Sequence, residues 1–150
     1  MPGFTQFSLL KNRRFVPLLL VQFLGAFNDN VFKNALIILI TYQFITQSLL
    51  LQQLSVTFAA GLFILPFFLF SAFAGQLADK LSRRYLTMII KGFECIFMLL
   101  ASLGFYLHSV SLLMLVLFFM GMHSSFFGPI KYAILPDLLE KKELIAGNAL

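Results

Sequence analysis

The sequence has little charge, one cysteine and no tryptophan. Charged residues make up 11% of the 150 positions, against about 25% in an ordinary soluble domain, too few to cover a surface facing water. The lone Cys95 excludes a disulfide framework and a thiolate metal cluster, and an inert packing role suits it best. The net charge of +5 does not point to nucleic acid, because the basic residues form small clusters beside apolar runs instead of one stripe with interleaved aromatics. No histidine–acid acyl-transfer pattern and no adenylate-binding loop occur in these residues, so nothing here reads as an enzyme. No metal or cofactor site is expected.

What the chain has in abundance is apolar: 60% hydrophobic residues, 20 phenylalanines and a mean hydropathy of +0.93. Phenylalanine suits lipid-facing and buried helix surfaces alike, so run length decides between them. Four runs approach the ~20 residues that cross a bilayer core: Phe15 to Tyr42, Leu54 to Ala78, Tyr85 to Leu107, and Val110 to Leu135. An all-α membrane bundle follows. The first run is too long for a signal-peptide core and lacks a small-residue cleavage site, so it is expected to remain as a span.

Polar punctuation separates the runs. Lys11, Arg13, Arg14, Lys80, Arg83, Arg84, Lys141 and Lys142 fall in alternate connections, while "QFITQSLLLQQ" and "HS" carry no Lys or Arg. The positive-inside rule then puts the N-terminus in the cytoplasm. From Glu143, "ELIAGNAL" reads as the start of a fifth helix that breaks off at Leu150, so the chain is expected to be the N-terminal part of a longer protein. No short repeat, low-complexity tract or linker interrupts it.

The first run contains an anomaly, "LGAFNDNVFKNAL", in which Asn28, Asp29, Asn30, Lys33 and Asn34 crowd the middle of a membrane helix. At ~100° per residue, Gln22, Asp29 and Lys33 lie within about 40° of one another, with Asn30 and Asn34 on the adjoining flank. An ionisable group at that depth costs at least ~2.5–3.5 kcal/mol and faces a bundle interior or a watery cavity. Asp29 and Lys33 either neutralise each other four residues apart or line a cavity and meet a substrate's charges. The three asparagines at the same depth favour the cavity.

Other spans must complete it. "KGFEC" puts Lys91 and Glu94 a turn apart. Glu94 reads either as a buried partner for a cation or as a substrate- or proton-binding acid. In the fourth run Gly121, Ser124, Gly128 and Lys131 share a face suited to close helix packing, with Lys131 placed to anchor the helix or attract an anionic head group. His123 reads as a hydrogen-bonded packing residue. Pro66 and Gly128–Pro129 predict kinks or local unwinding.

"GQLADKLSRR", Gly75 to Arg84, resembles the loop motif between helices two and three of the major facilitator superfamily at Gly75, Ala78, Asp79, Lys80, Arg83 and Arg84. Ser82 departs where that family usually has glycine. The resemblance implies that Gly75 lets the second helix approach another part of the transporter. It also implies that Asp79 makes charge and helix-terminus contacts, completed by Arg83. More narrowly, "QFLGAFNDNVFKNALIILITY" and "FFGPIKYAILPDLLEKKELIAGNAL" resemble the bacterial lysophospholipid transporters, some of which are fused to acyltransferase and acyl-ligase domains. That resemblance implies an inner-membrane protein moving lysophospholipid between leaflets, with membrane lipids around it, a C-terminal transporter half as partner, and Asp29 in transport. The stripe itself leaves a drug or metabolite transporter, or a membrane anchor, open.

Overall fold

The computed structural model describes residues 9, 12–43, 49–139, 143, 144 and 147. Four helices follow in order: α1 Val16–Gln43, α2 Leu49–Lys80, α3 Arg83–Tyr106 and α4 Val110–Leu138. All four are long and apolar enough to cross a membrane. At ~1.5 Å per residue even α3, with 24 residues, spans ~36 Å, more than the ~30 Å hydrocarbon core. Among the described residues the architecture is an all-helical membrane bundle.

Local chemistry sets the helix ends. Pro17 stands in the first turn of α1, where no intrahelical amide is needed. Ser82 caps α3 and Ser109 caps α4, the latter by accepting from the Leu112 amide at 3.4 Å. The link from α3 to α4 is the tightest reversal. His108 takes φ 51°, the Ser109 amide donates to the Gly104 carbonyl at 3.0 Å, and the His108 amide donates to Phe105 at 3.2 Å. This is a Schellman closure with histidine in the left-handed position that glycine usually fills.

The second helix starts at Leu49, earlier than the apolar run at Leu54, so the glutamines Gln52 and Gln53 are helical and not part of a loop. Positions 44–48 lie outside the described residues, as do Lys11, Lys141 and Lys142 of the basic clusters. Of the expected fifth helix only a fragment is described, in which the Gly147 amide donates to the Glu143 carbonyl at 2.8 Å in helical register. Pro66 and Pro129 do not unwind their helices, since α2 and α4 run unbroken through both. In lipid each lost backbone bond is costly, and a proline removes only its own donor while the ladder on either side persists.

Helix α4 is the centre of the unit, packed extensively on α2 and α3 and more lightly on α1. At Gly121 a β-carbon would run into the backbone carbonyl of Phe63, so glycine there sets how closely α4 approaches α2. The buried side chains fall into layers. Towards one end, Phe32, Leu36 and Ile40 of α1 meet Phe97, Ala101, Leu113, Leu117 and Met120. Towards the end bearing Arg83 and Arg84, Ala78, Leu86, Ile90 and Ile130 form a second apolar cluster. The first turn of α1 and the end of α4 meet nearby through Phe15, Leu135 and Leu139. Residues 22–29 of α1, 91–94 of α3 and 123–125 of α4 lie between these layers along every helix, and that gap holds the polar residues.

Candidate functional site

Asp29 points inward. The Ser124 hydroxyl donates to its Oδ2 at 2.8 Å, while Oδ1 is buried without a hydrogen-bond partner. Lys33 does not neutralise it. Among the described residues no ion pair joins the two, and the Lys33 ammonium instead sits 4.5 Å from the centre of the Phe63 ring. That ammonium belongs to a separate, apolar cavity with Leu36, Ala59 and Phe63. The intrahelical pair fails because α4 offers Asp29 a hydroxyl and α2 offers Lys33 a ring face, each reached without bending back along α1.

Around Asp29 lies a cavity of about 180 Å³ lined by Gln22, Gly25 and Ala26 from α1, Lys91 from α3, and His123, Ser124, Phe127, Gly128 and Lys131 from α4. It contains an acid and two lysines from three different helices. The shared face of α4 is thereby divided. Gly121 packs on α2, whereas a β-carbon at Gly128 would meet nothing, so Ser124, Gly128 and Lys131 form cavity wall and not a packing seam.

Glu94 is the hub beside this cavity. It accepts from the Lys91 ammonium at 2.6 Å and from the Asn28 amide at 3.4 Å. His123 Nε2 lies 3.3 Å from the same carboxylate, within ion-pair distance though not in hydrogen-bond geometry. Glu94 therefore joins α1, α3 and α4, and both of its expected partners, Lys91 and a group from another helix, are present. The Lys91 ammonium is also 4.6 Å from the Phe127 ring centre. Lys131 stands 5.3 Å from the ring centre of Tyr132.

Two expected site residues lie elsewhere. Asn30 is exposed and returns its side-chain amide to the Ala26 carbonyl at 2.8 Å, and Asn34 is exposed on the same flank. Conversely, Asn28, Lys91 and Ser124 belong to the polar layer, although the sequence suggests only close packing for Ser124. Their signal was available in the spacing: Ser124, Gly128 and Lys131 recur at helical intervals opposite the Asp29 stripe.

The loop motif is arranged differently from expectation. Asp79 and Lys80 are exposed, and among the described residues Asp79 makes no hydrogen bond or ion pair. Arg83 instead pairs with Asp137 at the end of α4. An arginine in the first turn of a helix faces the positive end of the dipole, and an acid from a neighbouring helix offsets that. Asp137 was overlooked because it sits far along the chain, one residue after Pro136. Ser82 replaces the usual glycine without strain, because its φ of −61° is open to any residue and the position serves as a helix cap. A β-carbon at Gly75 would meet nothing within the described helices, and Arg84 is exposed. Among the described residues no group of histidine, cysteine or acids is placed to hold a metal.

Four membrane-capable helices thus hold a charged layer between two apolar ones. The family model of the Major Facilitator Superfamily matches residues 18–150, and the chain belongs to that superfamily. It is a multi-pass membrane protein of the secondary-transporter type. No curated protein and no solved structure matches it.

Proposed function

We propose that this chain forms part of the transport path for a lysophospholipid, such as lysophosphatidylethanolamine, in the bacterial inner membrane. The observation that carries the reading is the cavity that Asp29, whose Oδ1 has no hydrogen-bond partner, lines together with Lys91 and Lys131. A zwitterionic head group needs an acid for its ammonium and cations for its phosphate, all inside a wall that excludes bulk water. At about 180 Å³ the cavity is smaller than the ~300–1,000 Å³ of a drug-sized pocket. It suits a head group and not a whole lipid. The sequence resemblance supplies the lysophospholipid; charge alone is equally compatible with a small zwitterionic metabolite.

In this reading Asp29 meets the ammonium and Lys131 the phosphate, with Glu94 holding Lys91 beside it. Asn30, Lys33 and Asn34, outside the cavity here, meet the substrate only after the helices rock against a further group of spans. Gly75, Asp79, Lys80, Arg83 and Arg84 act at the cytoplasmic side of that movement, the N-terminus being cytoplasmic. Reacylation of the delivered lipid would fall to acyltransferase and acyl-ligase domains.

The test is Asp29→Asn in the full chain, assayed for uptake of radiolabelled lysophosphatidylethanolamine by proteoliposomes. A loss of at least about tenfold, with normal membrane insertion, is expected for an acid that meets a charged group. Unchanged uptake removes Asp29 from the mechanism. If a water-soluble zwitterion competes as well as the lysolipid, the substrate is a metabolite instead.

A further inference from the structure

A second space adjoins the polar cavity. Between α1 and α3 runs a groove of about 690 Å³, walled by Val21 and Leu24 on one side and Cys95, Met98 and Leu99 on the other. Gly25 and Lys91 line both spaces. Gly25 lets the Lys91 ammonium lie close against α1, where a β-carbon would come within 2.9 Å of it and 3.8 Å of Glu94. Polarity changes along the groove. Asn28, Lys91 and Glu94 stand at the junction, and beyond them α3 presents apolar side chains for roughly one turn from Cys95 to Leu99, with Ser102 most of a turn further on.

Resting on the lysophospholipid reading, we propose that this groove holds the single acyl chain while the head group occupies the Asp29 cavity, with Lys91 at the junction beside the phosphate. The occupant follows from the connection. A polar cavity sharing a cation-bearing wall with a largely apolar groove matches a molecule with a charged head, a phosphate and one tail. A soluble zwitterion would leave the groove unfilled. On this assignment the protein is expected to select for one chain, since α1 and α3 bound one groove beside Lys91 and a second chain would have to lie outside it. Lys91 stays paired with Glu94 and adds its charge beside the phosphate that Lys131 meets.

The experiment uses the full chain in phosphatidylcholine vesicles with two lysophosphatidylethanolamine photoprobes, one carrying a diazirine on the acyl chain and one on the head group. Crosslinked peptides are mapped by mass spectrometry. Labelling by the tail probe is expected at Val21, Leu24, Met98 or Leu99, blocked by unlabelled lysolipid and not by two-chain phosphatidylethanolamine. Leu99→Trp, which fills the groove away from the ionic network, is expected to reduce tail labelling about tenfold while head labelling persists. Tail labelling spread evenly over the outer faces of α2 and α3, with head labelling still confined to the cavity, overturns the groove assignment alone. Absence of head labelling at Gln22, Ser124 or Lys131 overturns the substrate reading, and with it the groove.

Discussion

Glu94 offers the most direct test of the polar layer. Replacing it with glutamine keeps its shape and the Asn28 bond but removes the charge faced by Lys91 at 2.6 Å and by His123 at 3.3 Å. Polar contacts between membrane helices, such as that to His123, average about 0.6 kcal/mol and reach about 1.7, and a pair along one helix such as Lys91–Glu94 adds about 0.2–0.5 kcal/mol, so the two together contribute roughly 1–2 kcal/mol. The larger effect is the ammonium left behind. The Lys91 side chain is 25% exposed, Glu94 13%, and breaking a buried pair from one side costs about 3–5 kcal/mol when nothing relieves it. Lys91 can relieve part of this by extending towards the basic end of the bundle. We therefore expect Glu94→Gln to destabilise the purified protein by about 2–4 kcal/mol in a reversible detergent unfolding titration. Lys91→Met should rescue it, because removing both charges avoids the orphan: in that background Glu94→Gln should cost at least about 1 kcal/mol less. If the single effects add to within about 0.5 kcal/mol, Lys91 and Glu94 are not a coupled pair and the hub is misread.

Gly121→Ala should cost about 1–3 kcal/mol by forcing α4 away from the Phe63 carbonyl, whereas Gly128→Ala, which meets nothing, should leave the unfolding midpoint unchanged. His108→Gly should raise stability by up to about 1 kcal/mol, since glycine adopts the observed φ of 51° without strain; a lower midpoint would mean that the imidazole contact to Tyr106 at 3.2 Å matters more. A double-mutant cycle on Arg83 and Asp137, whose side chains are 41% and 62% exposed, should give a coupling of only about 0.2–1 kcal/mol that shrinks with added salt. A coupling above about 2 kcal/mol would show that this pair sits in a drier environment than its exposure implies.

Much of the fold was legible because a bilayer leaves few choices. Long apolar runs must be helices, and their lengths and flanking charges are read directly from the chain. Helix ends were less legible. Leu49–Gln53 is helical although two glutamines interrupt it, because at a membrane surface polar side chains do not oppose helix formation. The inward position of Asp29 follows from its angular neighbours on α1, yet its partner does not. Whether it meets Lys33 four residues on or Ser124 on α4 depends on how α1 and α4 face each other, which one helix cannot specify. The same applies to Arg83, whose acid lies 54 positions away. The placement of Asn30 has a local reason, since an amide on a helix can return its hydrogen bond to its own backbone, as Asn30 does to Ala26, instead of lining the cavity.

The layering explains how α1 tolerates so much polarity. Gln22, Asn28 and Asp29 lie on the stretch of α1 that faces the polar groups of α3 and α4, between Phe15 on one side and Phe32, Leu36 and Ile40 on the other, where Lys33 finds the Phe63 ring instead. Charge buried at one level between dry clusters keeps its interactions unscreened, so each group there is strongly held by whatever partner it has. Glu94 has three such partners and is accordingly fixed. Asp29 has one, leaving an oxygen that the protein itself does not satisfy. Removing that cost requires a donor from outside the four helices, and an arriving ammonium or hydroxyl gains most where the protein has left most undone. On the transport reading proposed above, the difference between these two acids, one with several partners and one with an oxygen left over, separates a residue that holds the bundle from one that binds what passes through it.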